Sequence, residues 1–220
     1  MKNPEYCFKI ETIRNNLLGW GKTNLRIFPW RNTNDPYKIL IAEVMLHRTK
    51  AAQVEEIYES FILKYPDFES IAKAGPEIIK SELHPLGLFW RADMLYELAK
   101  IIVNSDSGQI PTNKKELMKL PGVGDYIASA VLCFSYEKPE PILDTNTVRV
   151  IGRVFGIEIN DSSRRNKKFQ QIMFDIINCR KSKKISLLMI DLASLICIAG
   201  HNQNHSQCPL NNVCNYYEKL

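Results

Sequence analysis

The chain has 220 residues, a mass of 25.4 kDa and 45% apolar content, enough to bury a core in one large or two small domains and to exclude a disordered chain. Its net charge of +5, from 29 basic against 24 acidic residues, favours an anionic partner only weakly, because this is an ordinary globular balance. The opening MKNPEYCFKIETIRNN lacks the apolar core of a signal peptide, and the longest apolar run, 185–199, contains Asp191 and is too short to span a bilayer. A soluble, cytoplasmic monomer with no membrane partner is expected.

Apolar residues recur at helical spacing from Phe8 to Trp20, and Gly19 to Gly21 are expected to end that helix. Phe28 to Tyr37 holds two prolines and several aromatics and reads as a packed loop. Residues 37–49, YKILIAEVMLHRT, form a helix that is apolar nearly all round, with Glu43 as the exception. That carboxylate is either paired with a nearby base or kept inside the core for function. Amphipathic helices follow at 51–64, 67–73, 76–83 and 90–104, separated by proline- and glycine-containing breaks. No stretch sustains two-residue alternation, so the predicted fold is all-α. The richest basic runs, Arg164 to Lys168 and Arg180 to Lys184, suit either a solvated surface or DNA contact.

Two breaks between 113 and 155 carry the chemistry. Asn113 can cap a helix starting at Lys114, with Glu116 placed to reciprocate in a capping box. The chain then turns through Leu120-Pro121-Gly122-Val123-Gly124 into a second helix near Asp125, giving a helix-hairpin-helix. Backbone N–H groups of Gly122, Val123 and Gly124 at a helix amino terminus can hold a phosphate without reading sequence. The bland alternative is a tight interhelical turn. Asp144 precedes the helical run Thr145 to Ile151 and is well suited as an N-cap. Beside a held sugar-phosphate backbone, the same carboxylate could stabilise the positive charge that develops on a sugar as its base departs, and orient the attacking water.

These residues, together with Phe28-Pro29-Trp30-Arg31, Asp35-Pro36-Tyr37 and Glu43 to Leu46, resemble the helix-hairpin-helix (HhH-GPD) superfamily of base-excision DNA glycosylases. The resemblance points to the branch holding MutY-type adenine glycosylases and Mig-type thymine-DNA mismatch glycosylases. It implies two helical lobes with a DNA-binding cleft, one formed by 26–137 and the other by 1–25 with 138–220. It also implies catalytic roles for Asp144, Glu43 and Tyr126, with mismatched double-stranded DNA as partner. At the Tyr126 position bifunctional relatives carry a lysine that forms a Schiff base, so a tyrosine implies base removal without strand cleavage. The same tyrosine, and a chain that stops soon after Cys214, favour thymine or uracil opposite guanine. Adenine opposite guanine or 8-oxoguanine is the alternative substrate, and a noncatalytic DNA-binding module the alternative class. By the same resemblance His47 and Arg48 are expected at the opposite base, with phosphate or Glu43 as equal alternatives for the Arg48 guanidinium, Asn146 stands in the Asp144-Thr145-Asn146 motif at the DNA, and Leu88 is a wedge into the base stack or a core residue.

At the carboxyl end, relatives ligate a [4Fe-4S] cluster with cysteines spaced C-x6-C-x2-C-x5-C. This chain offers Cys197-x7-His205-x2-Cys208-x5-Cys214, with one residue inserted and a histidine in place of the second cysteine. A cluster with three cysteines and His205, a structural zinc, or no metal all fit this departure, and His201 is a weaker substitute ligand.

Overall fold

The computed structural model describes residues 3–87, 89–200 and 205–219, which places Leu88 and His201 outside the described residues. Among the described residues there are eleven α-helices and no strand, an all-α fold, and no helix is long and apolar enough to cross a membrane. The chain divides into two compact units, one of Met1–Arg26 with Glu137–Leu220 and one of Ile27–Tyr136.

The contiguous unit is built around α2 (Pro36–Leu46), where Tyr37 and every residue from Ile39 to Met45 are buried. Asp35 caps it by accepting from the Tyr37 N–H, and Pro36 sits at the first helical position, where its missing N–H removes no intrahelical bond. Against α2 pack α3 (Ala51–Lys64), α6 (Trp90–Val103) and α8 (Asp125–Tyr136), while α4 (Phe68–Ala74) and α5 (Pro76–Leu83) lie on α6. The short α7 (Lys114–Leu117) leads into the hairpin. The expected helix over 37–49 ends at Leu46, three residues early, and the next residues form a turn.

In the other unit α1 (Pro4–Asn24) packs on α10 (Lys167–Ile177) and α11 (Ser182–Leu195), and α9 (Thr145–Phe155) packs on α11. Arg14 of α1 donates to the carbonyls of Asp175, Ile176 and Asn178, covering the orphan acceptors at the end of α10. The expected stop at Gly19 to Gly21 does not occur, and α1 runs through both glycines to Asn24. The reason is tertiary: a Cβ on Gly21 would stand 2.4 Å from a methyl of the fully buried Leu188, so Gly21 is a position of close approach to α11. Gly21→Val should therefore lower unfolding free energy by about 1–3 kcal/mol through overpacking, read by urea denaturation. An unchanged midpoint would show that Leu188 can move aside.

Candidate active site and nucleic-acid interface

Asp144 is the N-cap of α9 and is half-buried. Its Oδ1 accepts from the Asn146 N–H (2.9 Å), the Thr147 N–H (2.7 Å) and the Thr147 hydroxyl (3.0 Å), while Thr147 reciprocates by accepting from the Asp144 N–H. One oxygen thus closes a capping box. The other, Oδ2, has the Asn146 amide as its donor at 2.9 Å and keeps capacity for another. Asn146 is fixed in turn, since its Oδ1 accepts from Arg149 Nη1 at 3.1 Å. Arg149 also donates through Nε to the Cys197 carbonyl and through Nη2 to the Ala193 carbonyl, at 2.8 and 2.9 Å. Neutral donors fix the orientation of the carboxyl group, an arrangement suited to stabilising positive charge at a fixed point.

Arg149, which motif reading passed over, ties Asn146 to the 193–197 backbone. Its signal was available in the spacing, because positions 146 and 149 share a face of α9 one turn apart. Arg153, a further turn along, donates to Cys197 Sγ (3.3 Å) and the Ile198 carbonyl (2.8 Å) and lies over the Tyr216 ring.

In the contiguous unit the Asn113 side chain caps α7 through the Glu116 N–H. Glu116 pairs with Lys119 at 2.8 Å, and Lys114 reaches Asp125 at the start of α8 at 2.9 Å. Gly122 adopts φ +73°, which a side chain would strain, and a Cβ there would run into the end of Met94 on α6. Gly124 is exposed, has no positive φ, and a Cβ on it would meet open space. The structure divides the three hairpin residues. Val123 is buried and its N–H donates to the Leu120 carbonyl, so its role is internal, whereas Gly122 and Gly124 form the exposed surface. Tyr126 stands half-buried in the first turn of α8.

Glu43 is 6% exposed on α2. Beyond the end of that helix His47 and Arg48 are exposed, and Arg48 adopts φ +60°, a left-handed conformation rare for a residue with a Cβ. The His47 ring meets Trp90 edge-on, 5.4 Å between centroids. Partial burial, and then the Arg48 and Arg91 cations, hold the His47 pKa below its ordinary value. Its neutral form is thus favoured on folding, so the stability it contributes is complete above about pH 6.5 and declines as pH falls toward the folded value. Protonation below that range adds a cation to the surface. Binding of undamaged duplex at fixed salt, followed by fluorescence anisotropy, should tighten as pH falls below the ordinary histidine range, by less in His47→Gln. An identical slope in both proteins would remove His47 from the DNA interface.

Cys197, His205, Cys208 and Cys214 line one pocket, together with Val150, Arg153 and Tyr216. Burial, reinforced by the neighbouring sulfurs of Cys197 and Cys214, pushes the Cys208 thiol up to about 11. Three thiols and an imidazole are donor types found in structural metal sites. Among the described residues, however, no three such donors stand close enough to share one ion, as tetrahedral zinc requires.

The chain thus presents a helix-hairpin-helix turn with an open glycine face and a capped, oriented aspartate. The family model for the HhH-GPD superfamily base excision DNA repair protein matches residues 41–173, and the chain belongs to that superfamily. It is 37% identical to a thymine/uracil-DNA glycosylase of Methanothermobacter thermautotrophicus, over 92% of each chain. It is 38% identical to a thymine-DNA glycosylase of Aeropyrum pernix, over 95% of this chain and 96% of the other. Among solved structures, that of a thermostable thymine-DNA glycosylase superposes with a TM-score of 0.90 at 35% identity, over 97% of this chain and 98% of the other.

Proposed function

We propose that this DNA glycosylase hydrolyses the N-glycosidic bond of thymine or uracil mispaired with guanine, leaving an abasic site in an uncut strand. The substrate reading rests chiefly on the similarity to thymine and thymine/uracil glycosylases along nearly the full length of both chains. Gly122 and Gly124 present backbone to a phosphate, which positions the nucleotide without reading its base. As the base departs, the Asp144 carboxylate, with Oδ2 oriented by Asn146, stabilises the positive charge growing on the sugar and orients the water that replaces the base. Glu43, buried on α2, is assigned to the departing base. Arg48 is assigned to the opposite guanine, whose N7 and O6 are well-placed acceptors for a guanidinium. Tyr126 offers no amine to attack the sugar, and this supports base removal without strand scission.

The four donors of the carboxyl-terminal pocket suit an iron-sulfur cluster better than a single zinc, since a cluster distributes its ligands over several irons. Cys197, Cys208 and Cys214 would hold it with His205 in the remaining position. Bound there, it would supply a structural crosslink among segments that the chain otherwise ties together through Arg149 and Arg153.

The test is chemical identification of what is released. Incubation with a duplex carrying one thymine opposite guanine should yield free thymine by chromatography, with the strand intact until alkali is added. Release of adenine alone, from duplexes offering it opposite guanine or 8-oxoguanine, would overturn the substrate reading.

A further inference from the structure

The turn that carries His47 and Arg48 is held from beneath by a residue outside every recognised motif. Arg91, in the first turn of α6, is 1% exposed. Among the described residues no carboxylate pairs with it, and its pKa is lowered by burial alone. A buried guanidinium without a counter-ion is unfavourable unless its donors are satisfied. Here Nη1 donates to the Met45 carbonyl at 2.9 Å, and Nη2 donates to the His47 carbonyl and to the Thr49 hydroxyl, the latter at 2.9 Å, so the two terminal nitrogens are satisfied while the buried Nε is left without a partner. The carbonyls lie at the carboxyl end of α2, where acceptors lack intrahelical partners and the helix dipole is negative, so the cation is stabilised without a carboxylate.

The three acceptors lie at positions 45, 47 and 49, which bracket Arg48. A planar guanidinium sets their relative orientation, and the residue between them is the one in the left-handed conformation. The adjacent Trp90 adds an edge contact to the His47 ring. A structural helix cap alone would need only the α2 carbonyls. The third contact, to the Thr49 side chain, closes the far side of the turn and fixes where Arg48 emerges.

We propose that Arg91 is a positioning residue for recognition of the opposite base: its fork holds the 45–49 backbone so that Arg48 is presented in one orientation. This rests on the assignment of Arg48 to the base opposite the excised one. Arg91 touches neither strand and acts only through that turn.

The experiment measures single-turnover release of uracil from duplexes in which the base opposite is guanine, adenine, cytosine or thymine, with wild type, Arg48→Ala, Arg91→Met, Arg91→Lys and the double variant Arg48→Ala/Arg91→Met. In Arg91→Met the preference for guanine should fall about tenfold, the scale of one good side chain–base pair. Arg91→Lys should restore part of it, because an ammonium reaches one or two of the acceptors without fixing all three. The double variant should discriminate no worse than Arg48→Ala alone, since Arg91 has nothing left to position. Should the Arg91 variants fail to fold by circular dichroism, Thr49→Val decides, removing the same contact from the turn side with a smaller loss of preference. A folded Arg91→Met with wild-type preference, an additive double variant, or, where the Arg91 variants fail to fold, an unchanged Thr49→Val would each overturn the inference. A wild type with no preference for guanine would instead refute the mismatch reading on which it depends, and wild-type preference in Arg48→Ala would refute the assignment of Arg48.

Discussion

Asp144→Asn should lose about a thousandfold or more in the single-turnover rate of base release while remaining folded, because the substitution removes the anion and keeps the cap. Asparagine caps helices about as well as aspartate, and its Oδ1 can still accept from the Asn146 N–H, the Thr147 N–H and the Thr147 hydroxyl. What changes is the other terminal group. An NH2 at the Oδ2 position would face the Asn146 amide donor, whose own oxygen is already engaged by Arg149. The site therefore loses its charge and the orientation of its second group together, with a stability change within about 1 kcal/mol. Undiminished base release in a folded Asp144→Asn protein would show that the carboxylate is only a cap.

Tyr126→Lys should convert base removal into strand cleavage. A lysine at this position, in the first turn of α8, places a primary amine where relatives of the lysine-bearing branch are read to form their Schiff base. Half-burial of the position favours the neutral amine that such an attack needs, by desolvation. The expected outcome is a covalent protein–DNA complex trapped by borohydride, absent in wild type, and strand scission without alkali. If the variant still releases base yet traps no complex, Tyr126 does not face the sugar, and its assignment to the site fails.

The parts of the molecule legible beforehand were those set by local chemistry. Asp144 before a helical run caps α9 as its position implies, with Thr147 adding the reciprocal bond, and Asn113 caps α7. The parts that were not legible depend on residues distant in the chain. Gly19 and Gly21 look like a helix stop, but the close approach of Leu188 from α11 makes Gly21 a packing position inside α1. The pattern of 37–49 reads as one helix, but α2 ends at Leu46, where Arg91 covers the terminal carbonyls from forty-odd residues away. Glu116 was placed to complete a capping box, yet its carboxylate bonds the nearby Lys119 cation. Spacing brought Cys197, His205, Cys208 and Cys214 to attention together, and the four line one pocket.

Charge accounts for another part of the difference. Arg91 and Arg149 each look like one more basic residue in a helix, and at the level of composition they are indistinguishable from the solvated lysines around them. Their distinction is that each aims a planar fork at main-chain carbonyls, Met45 and His47 in one case, Ala193 and Cys197 in the other. Backbone acceptors leave no trace in the side-chain sequence. Arginine serves here to fix the backbone beside the two side chains, Arg48 and Asp144, on which the proposed function depends.

The measurement that bears most directly on that function is a panel of end-labelled duplexes, each carrying thymine, uracil or adenine opposite each of the four bases, treated with alkali after incubation under single-turnover conditions. The account predicts alkali-dependent cleavage at thymine and uracil, fastest opposite guanine, and none at adenine. Cleavage confined to adenine, or binding without release of any base, would contradict it.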